Sequence, residues 1–144
     1  MPQKRSMHQK EIGQLRIFLT SREKHPDRAG GWQRFLPSKA LYMEIIHAAK
    51  ATEGIVTATA HATHYGYCGA HAVQGGHAED LNPHLPLCVE LVGDREVLQN
   101  FCVAHERLLS GKVILYKHLE HWSFDPHGLK VKPAGKRDLL SRED

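Results

Sequence analysis

At 144 residues the chain has the length of one domain, and its 41% hydrophobic content can fill one core. The formal charge of +3 is modest, with basic residues gathered at Lys4–Lys10, Arg22–Arg34 and Lys130–Arg137; this suits an anion but does not call for nucleic acid. No apolar run is long enough to insert in a membrane, and no apolar segment follows the charged start as in a secretory leader. The three scattered cysteines, Cys68, Cys88 and Cys102, are an odd number that points to reduced thiols in a cytoplasmic setting.

Residues 1–12 are polar and read as a flexible tail. Leu15–Thr20 alternates, so the first strand is expected to carry Leu15, Ile17 and Leu19 on one face. Residues 21–36 hold Pro26, Gly30 and Gly31 and read as a connection. From Pro37 to Ala51 the apolar positions 41, 42, 45, 46, 48 and 49 follow a helical period, opened by Pro37 and closed by Gly54. A second strand, Ile55–His64, carries Val56, Ala58, Ala60 and Ala62 on one face and Thr57, Thr59, His61 and Thr63 on the other. A third, Leu85–Val92, sets Leu87, Val89 and Leu91 against Cys88, Glu90 and Val92. Asp94 is placed to cap a second helix whose Val97, Leu98, Phe101, Cys102, His105, Leu108 and Leu109 share a side, with Ser110-Gly111 at its end. Lys112–Glu120 reads as the fourth strand. Residues 122–144 are a polar extension with room for a short element at 128–132.

The order β-α-β, β-α-β over residues 13–121 predicts an α+β, ferredoxin-like fold: an antiparallel four-stranded sheet with two helices on one face. The other face is expected to show Phe18, Thr57, Thr59, His61, Cys88, Val92, Ile114 and Tyr116. A patch this apolar is not left wet without a reason, and an oligomer with inward-facing sheets is its simplest cover. Between the second and third strands, Tyr65–His84 is rich in Gly and His. A loop of roughly 20 residues in a compact domain is rare unless it is functional or disordered, and rigid strands are a common base for a binding loop.

The stretches Leu15–Leu19, Ala40–Ile46, Gly54–Thr59, Gly66-Tyr67, Leu85–Val92 and Gly111–Val113 together resemble the PII-like proteins, and most closely the branch catalogued as domain of unknown function 190. The resemblance implies a homotrimer, clefts between subunits that bind an adenine nucleotide (AMP, ADP or ATP), and a mobile loop after strand two, the T-loop, that meets a protein partner such as a transporter or enzyme. Many relatives carry Arg-Gly late in strand two where Ala62-Thr63 stand here. Many also carry Gly-Tyr-Gly at the loop start, where Gly66-Tyr67-Cys68-Gly69 stand here.

Candidate ligand-binding residues follow. Gly66 and Gly69 tolerate positive φ and close approach, so their amides can reach a phosphate. A lone Gly-x-x-Gly is also an ordinary turn, and it is the resemblance that gives it a binding reading. Lys112, after Gly111, is a point charge for an anion or a solvated residue past a helix cap. Lys117 and His118 would close the cleft from a neighbouring copy. His64, Tyr65 and Tyr67 stand at the loop entry, where a tyrosine stacks on a base or pins the loop. Glu90 on the uncovered face needs a partner, and Arg16 across the sheet is expected to supply it rather than a ligand.

The alternative is a metal-binding trimer like CutA proteins, with His64, Cys68 and His71 as ligands. Against it, His-x-x-His on a strand (His61 and His64) sends the rings to opposite faces, and loop histidines such as His71, His77 and His84 are usually only polar. Cys68 beside His64 or His71 is a conceivable thiolate pair. No catalytic triad, carboxylate pair or phosphate-loop lysine motif is present, so the chain is expected to be a regulatory binding protein, not an enzyme.

Overall fold

The structure, a computed structural model, describes residues 11–24, 40–75, 82 and 84–132. The expected flexible tail falls almost wholly outside the described residues, as do the middle of the first connection and the far part of the long loop.

The first strand, β1 (Ile12–Thr20), starts earlier than Leu15 and buries Leu15, Ile17 and Leu19. Lys24 and Ala40 bridge, and α1 (Leu41–Lys50) follows with Leu41, Ile45 and Ala49 buried at fourth-residue spacing. Gly54, at φ +95°, makes the turn into β2 (Ile55–Ala62). The long loop contains a small ladder, β3 (Tyr65–Gly66) against β4 (Gln74–Gly75). β5 (Pro86–Asp94) runs into α2 (Arg95–Ala104) and the short α3 (Glu106–Leu109). β6 (Val113–His118) completes the main sheet, and β7 (His121–Asp125) pairs with β8 (Gly128–Lys132) in a separate hairpin.

The main sheet has the order β2-β5-β1-β6 and is antiparallel throughout. One hydrophobic cluster joins the inward residues of β1 and β5 to Leu41, Ile45, Ala49, Leu98, Phe101, Leu108 and Leu109, so all helices lie on one face. This is the ferredoxin-like α+β arrangement. Fully burying a side chain such as Ile17, Ile45 or Val89 stabilises the fold by roughly 1.5–3 kcal/mol each.

Several expectations need correction. The second helix does not run through to Leu109; it breaks at His105, whose φ of −113° leaves the helical range. Asp94 takes the N-cap position with extended φ and ψ, yet its side chain caps no helix amide; Arg95 N–H donates to Glu11 O at 2.7 Å instead. The register shifts between Ile55 and Thr57, which leaves Val56 67% exposed instead of sharing the inward face of Ala58 and Ala60.

The largest correction concerns β6. Leu15 pairs with Tyr116 and Ile17 with Ile114, and residues paired across a ladder share a face. Ile114 and Tyr116 therefore lie on the helix side, packed on the core, while Val113, Leu115 and Lys117 join the uncovered face. That face otherwise holds the expected Phe18, Thr57, Thr59, His61, Cys88 and Val92.

The described part of the extension, residues 122–132, is more structured than expected, and residues 133–144 lie outside the described residues. Residues 128–132 form one strand of the hairpin, and the register puts Trp122, Phe124, Leu129 and Val131 on one side of it, all exposed, with Phe124 at 84%. Ser123 and Lys130 occupy the other side.

Candidate functional site

β1 ends beside the turn that leads into β6, because Phe18 pairs with Val113. The long loop enters above the same place. Together they enclose a concavity of about 210 Å³ lined by Phe18–Thr20, Glu23, Cys68–His71 and Gly111–Val113. Two glycines shape it. Gly69 has φ +59° in a turn closed by His71 N–H donating to Cys68 O at 3.2 Å. Gly111 has φ +75°, which lets Lys112 N–H return to Leu109 O at 3.1 Å as the chain leaves α3. No side chain would be blocked there by its surroundings; it is the left-handed backbone that favours glycine.

Lys112 Nζ lies 2.8 Å from Glu23 Oε2, and both side chains are largely withdrawn from water. Glu23 Oε2 is shielded from solvent, so Lys112 is its close charged neighbour in the groove. A neighbouring depression of about 250 Å³ shares Thr20, Glu23 and His71 and adds Arg22, Gln74 and His84. Arg22 Nη1 approaches His84 Nε2 at 3.4 Å. Among the described residues, the groove thus gathers Lys112, Arg22, His71 and His84 around one carboxylate, a mainly basic lining suited to an anion. Arg22 and Glu23 are not among the residues that the sequence points to as ligand-binding. Arg22 opens the basic stretch 22–34, and Glu23 follows it just past the end of β1, but nothing local marks either as part of a site.

Of the residues expected at the site, Gly69 and Lys112 meet in the concavity, together with Cys68 and His71 of the alternative metal set. His64, Tyr65, Gly66 and Tyr67 do not line it. Tyr65 and Tyr67 are 76% and 65% exposed, and the Tyr65 ring lies over Gly75, pinning the β3–β4 ladder. Lys117 and His118 sit at the opposite end of β6, where His118 pairs with Gly13. Lys117 is on the uncovered face. His118 turns to the helix side, with Nδ1 3.3 Å from Tyr116 Oη and 3.8 Å from Glu11 Oε2.

Glu90 has the internal partner expected for it, Arg16 Nε at 2.8 Å from Oε1, and His61 Nε2 stands 3.8 Å from Oε2. Beside them, burial pushes the Cys88 thiol up, Glu90 adds to that, and Arg16 opposes it. Among the described residues, no three His, Cys, Asp or Glu side chains come together to hold a metal ion, so His64, Cys68 and His71 are not assembled as a set.

A further cavity of about 340 Å³ lies between α2 and the sheet, lined by Leu15, Leu98, Cys102 and Tyr116 with Arg95 and Gln99. Arg95 stands 5.9 Å from the Tyr116 ring centroid and 3.5 Å from Glu11 Oε2, so it serves that end of the fold. Burial pushes the Cys102 thiol up.

The sheet order, the helices on one face and the long loop rooted beside a basic groove define a PII-like, ferredoxin-fold protein. The chain belongs to the DUF190 family, described as uncharacterized ACR, whose model matches residues 12–121. The match ends where the β7–β8 hairpin begins. A search of curated proteins found no match. Among the described residues, no helix is long and apolar enough to cross a membrane.

Proposed function

We propose that the chain is a PII-like regulatory protein: a homotrimer that binds an adenine nucleotide or similar small anion in clefts between subunits and signals through the 65–84 loop to a protein partner such as a transporter or enzyme. The observation that carries this reading is the groove where the loop entry, at Cys68–His71, meets Gly111 and Lys112. A ligand held there touches the loop root and the rigid sheet at once. It shifts the loop only by binding one loop state more tightly than the other, and about 1.4 kcal/mol of difference gives a tenfold shift. The uncovered face, with Phe18, Val92, Val113 and Leu115, supports assembly. Lys117 on that face would reach a ligand only from an adjacent copy.

Calorimetric titration with AMP, ADP, ATP and cyclic nucleotides tests the ligand. Heat from at least one, lost in Lys112→Ala, is the expected result; no heat and no thermal shift from any of them removes the nucleotide from the reading. Light scattering tests the assembly, which should weigh about three times the 16.2 kDa chain.

A further inference from the structure

The lysine offered to an incoming anion already has a negative charge beside it. Glu23 Oε2 is 2.8 Å from Lys112 Nζ, and both residues line the concavity with Gly69 and Gly111. The glutamate is held there by its backbone. Its N–H donates to Thr20 O at 3.3 Å, and its carbonyl accepts from Leu41 N–H at 2.8 Å, the first amide of α1. Glu23 therefore cannot leave the groove without disturbing either the end of β1 or the start of α1, and only its side chain is free to turn. Among the described residues, the other charged or titratable groups lining the groove are Arg22, Cys68, His71 and His84, and no second carboxylate does.

Building on the nucleotide reading above, we propose that Glu23 is the specificity-determining residue of the groove. It occupies Lys112 in the free protein and discriminates against highly charged polyphosphates. A ligand phosphate must either turn the carboxylate off Lys112 or lie against it. Each added negative charge on the ligand raises that cost, whereas its gain from Lys112 saturates at one contact. Discrimination through a built-in repulsive charge is a common route to selectivity, because it acts on the difference between two ligands rather than on the affinity for either. The ligand class the groove favours is thus a nucleotide of low charge, a monophosphate or cyclic monophosphate, over a triphosphate.

The test is calorimetry of AMP and ATP, in buffer free of divalent cations, on the full chain and on Glu23→Gln, Glu23→Asp and Lys112→Ala. The wild-type chain should bind AMP more tightly than ATP. Glu23→Gln keeps the side-chain shape and both backbone hydrogen bonds; it should tighten AMP about tenfold and ATP about a hundredfold, closing or reversing the order. Glu23→Asp, which keeps the charge, should keep the wild-type order. An unchanged AMP-to-ATP ratio in Glu23→Gln, or wild-type protein that binds ATP the tighter, overturns the assignment while leaving nucleotide binding intact. Binding of neither nucleotide by wild type or by Glu23→Gln overturns the nucleotide reading itself, and this inference with it.

Discussion

Arg16 and Glu90 sit on adjacent, directly paired strands and meet at 2.8 Å in the middle of the uncovered sheet face. What this pair is worth depends on whether the face is covered. An exposed ion pair contributes about 0–1 kcal/mol, whereas removing one partner of a buried pair costs about 3–5 kcal/mol because a charge is left without compensation. If sheets pack inward in a trimer, Arg16→Ala should fall in the second range and lower the mass seen by light scattering. A change under about 1 kcal/mol in denaturant unfolding, with mass unchanged, would place the pair in solvent.

Cys88 shares that face, and burial first, then Glu90, raise its thiol above the ordinary value of 9.0. A raised thiol is less ionised at neutral pH, and the thiolate is the reacting form. Alkylation of Cys88 should therefore be slow at pH 7.5 and accelerate only above pH 9. Glu90→Gln should shift the pH–rate profile of Cys88 to lower pH and leave that of Cys102 in place, because Cys102 is raised by burial alone. Mass spectrometry of labelled peptides reads both at once.

Gly93 has no room for a side chain. A Cβ there would stand 2.4 Å from the Gly54 carbonyl oxygen and 3.0 Å from Ile55 Cα, both backbone atoms. Gly93→Ala must push β2 and its entry turn away from β5, and should destabilise by about 1–3 kcal/mol. Gly69→Ala meets no neighbour, but it sits at φ +59°, so its cost is the left-handed backbone alone, about 1–2 kcal/mol. Urea unfolding of both variants, with loss of the Lys112-dependent ligand heat only in Gly69→Ala, would separate a framework glycine from one at the site.

At the tip of the hairpin, the Asp125 carboxyl lies below its ordinary value of 3.8, chiefly through the Lys130 ammonium and then through the His127 amide. A depressed carboxylate contributes stability that is present above the ordinary value and is lost as pH falls below it. The hairpin should therefore be insensitive to pH between 5 and 8 on account of this group and loosen below about 3.8. Carboxyl carbon shifts of Asp125 followed by NMR check this. Lys130→Ala should move the titration upward.

Where alternation separates large apolar from polar residues, the sequence was legible. Alternation puts Leu15, Ile17 and Leu19 on one face, and likewise Leu87, Val89 and Leu91, and all of these are buried. β6 defeated the same argument because Val113 and Leu115 are as apolar as Ile114 and Tyr116, so alternation carries no phase and only pairing with β1 decides it. The break at His105 was hidden for a similar reason: the apolar set continues past it through Leu108 and Leu109. At the site, Gly69 and Lys112 could be nominated because glycine and lysine have distinctive local roles. Glu23 could not, since its meaning comes entirely from a lysine that is distant in the chain and adjacent only in the fold. The tyrosines at the loop entry drew attention as aromatic residues, yet Tyr65 spends its ring on Gly75.

The chain has two tryptophans, Trp32 and Trp122, and Trp122 stands on the open side of the hairpin at 59% exposure. In a Trp32→Phe background the indole of Trp122 becomes an intrinsic optical probe of a segment that begins where the family match ends. Emission typical of hydrated indole at every protein concentration would mean that the hairpin projects freely. A blue shift that develops as the chains associate would mean that it is gathered into the assembly, visible without attaching any dye.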